Sequence, residues 1–171
     1  MQHMLALTII ADDQPGIVDE LASVIRKHGG NWLESAMSRL AGKFAGILLI
    51  SVDGTKRRDL IAALSALEND SLYITVTDSS EPEATGGTRV SLTVTANDRP
   101  GIVEEISAIL AADGINVEKL TTRCENAPMS GEPLFYLDAA LKLPMPLKAE
   151  RLRLRLEDLS DDLMVELKTN E

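Results

Sequence analysis

The chain repeats itself: Leu7-Thr-Ile-Ile-Ala-Asp-Asp-Gln-Pro-Gly-Ile-Val18 returns 85 positions later as Leu92-Thr-Val-Thr-Ala-Asn-Asp-Arg-Pro-Gly-Ile-Val103. Identity continues past this block, with Glu20, Gly29 and Asn31 recurring as Glu105, Gly114 and Asn116. A repeat of this length means two copies of one supersecondary unit, so whatever one half folds into the other must fold into as well. It divides the 171 residues into a first unit over 1–78, a polar, glycine-containing linker over 79–88 and a second unit over 89–171. Units of this size bury only a modest share of their surface, which predicts that the halves pack together.

Within the first unit the apolar run at 4–11 stops at Asp12-Asp13-Gln14-Pro15-Gly16. Ile17, Leu21, Val24 and Ile25 then recur at helical spacing up to Gly29. Residues 31–40 and 43–52 flank Ala41-Gly42 as a hairpin, Lys56 to Glu68 carries a second apolar helical face, and Leu72 to Thr77 closes the unit. The order is βαββαβ, the ferredoxin-like arrangement of two helices on one face of a four-stranded antiparallel sheet.

The second unit repeats the order, with strands at 90–96, 115–124, 134–143 and 163–168 and a first helix at 101–113. Arg151 to Leu156 alternates like a strand, yet Leu152, Leu156 and Leu159 also meet helical spacing. The repeat assigns a helix, because the segment occupies the slot of residues 56–68. Residues 125–133 form a longer hairpin loop than Ala41-Gly42. The fold class is therefore α+β, two ferredoxin-like units in tandem.

A net charge of −10 opposes phosphate backbones, which excludes direct nucleic-acid binding as the expected activity. No apolar stretch approaches the roughly 20 residues of a membrane span, and the first residues lack a basic leader, so a cytoplasmic location is expected. Cys124 is the single cysteine and His3 and His28 the only histidines, leaving no metal-ligand or cofactor pattern. Catalysis lacks its parts too: Ser23 and Ser107 lie in helices without a paired histidine. His3 falls at a terminus expected to be disordered, and His28 near a helix end. Cys124 stands beside Arg123, which would favour its thiolate if exposed, or it is a packed thiol. The basic runs Lys56-Arg57-Arg58 and Arg151/Arg153/Arg155 are solvated helix faces or an acidic partner's contact, and Trp32 lines an interface or packs in the core.

The duplicated Asp-x-Pro-Gly turns carry what functional signal there is. A helix that starts at a strand end presents unpaired N–H groups and partial positive charge, so Gly16, Ile17, Gly101 and Ile102 are placed to receive a carboxylate. Proline would set the entry dihedral within the first turn, while Asp13 and Asp98 would cap each helix through an N–H about three residues on. Two readings fit: a cap and turn with no ligand, or a small-anion site. Asn31 and Asn116 follow glycines expected to end the first helices, and are turn asparagines or ligands for an ammonium. Asn97 replaces Asp12 beside the motif, and an extra carboxylate would repel an anion, which makes the second unit the expected better binder.

Asp13-Gln-Pro-Gly-Ile-Val18 and Asp98-Arg-Pro-Gly-Ile-Val103 between strand and helix, each followed by Gly-x-Asn, resemble the ACT domain. The stretch Ala127-Pro-Met-Ser-Gly-Glu-Pro-Leu-Phe135 narrows the resemblance to two-module regulators of transcription. The resemblance implies a non-enzymatic, amino-acid-responsive regulator, with glycine as the candidate signal. It also implies a repressor's association with a transcriptional activator protein, and a homo-oligomer with ligand bound where modules pair. The alternative is a stand-alone regulatory subunit of an amino-acid or one-carbon enzyme; a third reading is an assembly module whose turn has lost its ligand.

Overall fold

The computed structural model describes residues 1–79 and 86–169, and the chain divides into two compact units, Met1–Glu83 and Ala84–Glu171. Of the linker expected over 79–88, residues 80–85 lie outside the described residues.

The first unit runs β1 (Gln2–Asp12), α1 (Ile17–Lys27), β2 (Gly30–Leu40), β3 (Lys43–Asp53), α2 (Arg57–Ser65) and β4 (Leu72–Ser79). The second repeats the order as β5 (Thr88–Asn97), α3 (Ile102–Ala112), β6 (Asn116–Asn126), β7 (Pro133–Leu143), α4 (Ala149–Glu157) and β8 (Met164–Thr169). Both sheets are antiparallel, ordered β2-β3-β1-β4 and β6-β7-β5-β8. This is the expected ferredoxin-like plan in duplicate.

Alternation explains the sheets. Leu5, Leu7, Ile9 and Ala11 of β1 face inward, as do their copies Val90, Leu92, Val94 and Ala96 of β5. They meet Ile17, Leu21 and Ile25 from α1 and Leu60 and Leu64 from α2 in one core, and Ile102, Ile106, Leu110, Leu152 and Leu156 in the other. Even the irregularities repeat, since register shifts fall at Trp32/Glu34 in β2 and at Val117/Lys119 in β6. Trp32 packs against its unit's core.

The ambiguous segment is helical, with Leu152 and Leu156 fully buried while the intervening Leu154 is 53% exposed. A strand would have put all three on one face. The second helix of the first unit is shorter than expected and ends at Ser65. The carboxylate of Glu68 accepts from the N–H of Ile74 and the side chain of Asn69 accepts from the N–H of Ser71, and both hold the chain in a turn instead. His3 lies within β1, paired opposite Val52, so the expected disorder there is replaced by sheet.

The edge strands β2 and β6 are the least covered elements. Every residue of β6 is exposed. No helix among the described residues is long and apolar enough to cross a membrane.

Candidate functional site at the helix mouths

Each Asp-x-Pro-Gly turn does deliver the chain from a strand to a helix start, though not through the expected cap. The N-cap residues are Gly16 and Gly101, both left-handed, with φ of 97° and 90°, and neither helix receives a side-chain cap. This conformation is the physical demand for glycine at both positions. Pro15 and Pro100 therefore precede the cap and do not sit inside the first turn.

The motif aspartates hold the edge strand instead. Asp13 forms an ion pair with Arg39 of β2, 2.5 Å away, while its N–H donates to the Gly42 carbonyl. In the second unit the N–H of Asp98 donates to the Pro133 carbonyl, and the Asp98 carboxylate meets Cys124, the residue that the repeat places where Arg39 stands. Desolvation first, then Asp98, push the Cys124 thiol up, against the expectation that Arg123 would favour a thiolate. Arg123 is engaged elsewhere, with Glu125 and Asp138, and it lies 4.4 Å over the Tyr136 ring.

The two mouths differ in what faces them. Asp13, Gln14, Gly16, Ile17, Asp19 and Phe44 line an open cleft of about 240 Å³ in the first unit. With no side chain capping α1, the N–H groups of its first turn are left to solvent or to a ligand. In the second unit Arg99 occupies the position of Gln14, and its guanidinium grips the Glu105 carboxylate at 2.5 Å. That pair raises the Arg99 pKa and lowers that of Glu105. A Cβ at Gly101 would lie 4.0 Å from Glu105 Oε1, so the protein's own carboxylate stands beside this helix N-terminus. Carboxylates thus stand at both mouths, Asp13 and Asp19 at the first and Glu105 at the second.

Asp12, the extra carboxylate of the first unit, is bonded by the Lys43 ammonium, and with Ser71 this holds its pKa below the usual value. Its charge is compensated, which removes the reason for ranking the first mouth lower. Asn97 ends β5, where its N–H donates to Asp162 at 2.9 Å.

Asn31 and Asn116 do not join their own mouths. Asn31 pairs opposite Ser51 whereas Asp12 pairs opposite Lys43, which puts eight strand steps, about 26 Å, between the two ends of the sheet. Asn116 opposite Lys142 and Asn97 opposite Leu134 are separated in the same way. Asp13, Gly16 and Ile17 come together; Asn31 stands apart. The glycines that end the first helices are left-handed as expected, Gly29 at φ 74° and Gly114 at φ 65°.

Sequence reasoning missed Arg39, Phe44 and Arg99. Two of them are visible in the repeat, Arg99 as the charged residue replacing Gln14 and Arg39 as the one replaced by Cys124.

The basic runs are largely tied down. Arg57 pairs with Asp78, Arg153 with Glu150 and Glu157, and Arg155 with Asp113. Among the described residues no cluster of His, Cys, Asp and Glu could hold a metal.

Residues 3–76 match the family model of the ACT domain. The chain is 26% identical over 128 residues to the glycine cleavage system transcriptional repressor of Escherichia coli (strain K12), covering 74% of this chain and 67% of that protein. The Shigella flexneri protein of the same name matches equally. The crystal structure of an unknown protein from Galdieria sulphuraria superposes at a TM-score of 0.83 with 27% identity, covering 100% of both chains. Another, proposed to be a glycine cleavage system transcriptional repressor, superposes at 0.74 with 18% identity over 100% of this chain and 99% of its own, and shows the shared fold.

Proposed function

From a chain whose residues 3–76 form an ACT domain and whose second unit repeats the plan, we propose a non-enzymatic regulator that senses a small amino acid. In this reading it represses transcription of a glycine cleavage system by associating with an activator protein, as the name of the E. coli relative suggests. The observation that carries the reading is the uncapped N-terminus of α1 opening into the cleft between Gln14 and Phe44. Its N–H groups and the helix dipole suit a carboxylate, and glycine, the candidate signal, brings one with little bulk. Ligand binding would change partner affinity by as much as the two states differ in their affinity for the ligand. The net charge of −10 supports action through a protein and not through DNA contact, and the uncovered edge β6 supports assembly with further copies.

The test is calorimetric titration with glycine and serine, repeated on Val18→Pro and Val103→Pro. Proline in the first turn removes one N–H at the mouth while remaining compatible with the helix, which substitution of the left-handed glycines would not be. We expect Val18→Pro to weaken glycine binding by about tenfold, the worth of roughly one charge-assisted hydrogen bond. The second variant should matter less. Absence of any heat, or equal affinity in both variants and the parent, would reject the site. Capture of a transcription factor against capture of a metabolic enzyme then separates repression from the regulatory-subunit alternative.

A further inference from the structure

The second unit departs from the first at the end of the molecule's repeat remote from the helix mouths. The connection from β3 to α2 is residues 54–56, whereas that from β7 to α4 is residues 144–148, two longer. In the first unit the Lys56 side chain lies over Gly29, where an added Cβ would come within 2.7 Å of its Cδ. At the equivalent Gly114 the nearest atom is Pro144 Cγ at 3.9 Å. The longer connection leaves open a space that a lysine fills in the first copy. Asp113, the 144–148 segment and Arg151 border an open depression of about 400 Å³. That volume suits a small organic molecule.

Asp113 is only half accounted for by its ion pair with Arg155. It caps the C-terminal end of α3, where a negative charge opposes the helix dipole, and the repeat places His28 there in the first unit. Its side chain is only 10% exposed. One oxygen accepts from Arg155, but Oδ2 is buried without a hydrogen-bond partner. An enclosed, unpaired carboxylate oxygen is unfavourable until a donor reaches it. Lys148 and Arg151, also lining the space, are exposed cations that carry no ion pair among the described residues. Pro144, Pro146 and Leu147 add apolar surface, and Met145, 80% exposed, stands at the edge.

We propose that this depression is a second ligand site, separate from the helix mouths, for a small aliphatic carboxylate bearing a hydrogen-bond donor on the neighbouring carbon. The carboxylate meets Lys148 and Arg151, the donor satisfies Asp113 Oδ2, and the aliphatic body covers the prolines and Leu147. An α-hydroxy acid and an α-amino acid share this chemistry. The site lies beyond the far end of α3 from Gly101, eleven helical residues or about 16 Å away.

Backbone amide shifts of the full chain during titration test it, with leucine and 2-hydroxy-4-methylpentanoate as complete probes. Leucinamide, which lacks the carboxylate, and 4-methylpentanoate, which lacks the donor, serve as incomplete ones. At least one complete probe should move resonances at residues 113–114, 145 and 147–151, with binding about tenfold or more tighter than either incomplete probe; whichever complete probe binds identifies the donor. The double substitution Lys148→Ala and Arg151→Ala, both at exposed positions, should abolish those shifts, while Val18→Pro and Val103→Pro leave them unchanged. Shifts confined to the helix mouths, binding that survives the double substitution, or no response to any probe at millimolar concentration would overturn the proposal. Failure of glycine binding at the mouths would leave this result unaffected.

Discussion

At the scale of single residues, equivalent positions in the two units do different electrostatic work. Asp13 faces a guanidinium and Asp98 a thiol because the repeat exchanges Arg39 for Cys124. Cys124, though exposed, should therefore alkylate slowly with iodoacetamide at pH 8, and Asp98→Asn should speed it by removing a negative neighbour. Equal rates in the two proteins would contradict that contact. Asp53 shows the opposite shift. The hydroxyl and N–H of Thr55 donate to its carboxylate and, with the Met1 ammonium, hold its pKa at about 2 against a usual 3.8. A lowered folded pKa stabilises the fold fully above about 3.8, and that contribution disappears as the pH falls through about 2. Thermal melts of Asp53→Asn should thus lose less stability than the parent between pH 4 and pH 2. Parallel profiles would place the acid sensitivity elsewhere.

At the scale of elements, the β2–β3 hairpin carries two local decisions. Its two-residue turn puts both Ala41, at φ 50°, and Gly42, at φ 76°, in the left-handed region, the geometry that asparagine followed by glycine favours. Alanine there is strained by about 1 kcal/mol. Ala41→Asn should raise stability by about 0.5–1 kcal/mol in urea unfolding, and no gain would show that the turn relaxes without strain. Gly46, in the middle of β3, is the reverse case: an added Cβ would come within 2.3 Å of the Ala36 carbonyl oxygen and 2.6 Å of Met37 Cγ. Gly46→Ala must push β2 away, and we expect a loss of about 1–3 kcal/mol, the usual cost of overpacking, with faster hydrogen exchange along Ala36 to Arg39. Gly42 is marked in the sequence as a turn between two strand runs, whereas nothing in its sequence neighbours marks Gly46; the partner strand supplies that demand.

At the scale of the whole molecule, charge and duplication set what the chain can meet. With a net charge of −10, it should show no retention of duplex DNA in gel-shift assays at 0.15 M salt; salt-sensitive binding there would oppose the proposed protein-mediated action. The repeat made both folds legible from residue letters alone, because strands and helices with apolar positions at periods of 2 and 3.6 leave one compatible βαββαβ order. It even resolved the helix at Arg151 to Leu156, which alternation alone misread. Letters also located the helix mouths, since Asp-x-Pro-Gly marks a strand stopping and a helix starting. What they did not convey was which groups stand around those mouths. Arg39 and Phe44 reach the first from the hairpin, Glu105 screens the second through Arg99, and Asn31 is carried to the opposite end of its sheet. Periodicity is a property of neighbours along the chain and survives in the sequence. The surroundings of a site depend on strand order and side-chain direction across residues far apart in number, and only the folded structure determines them.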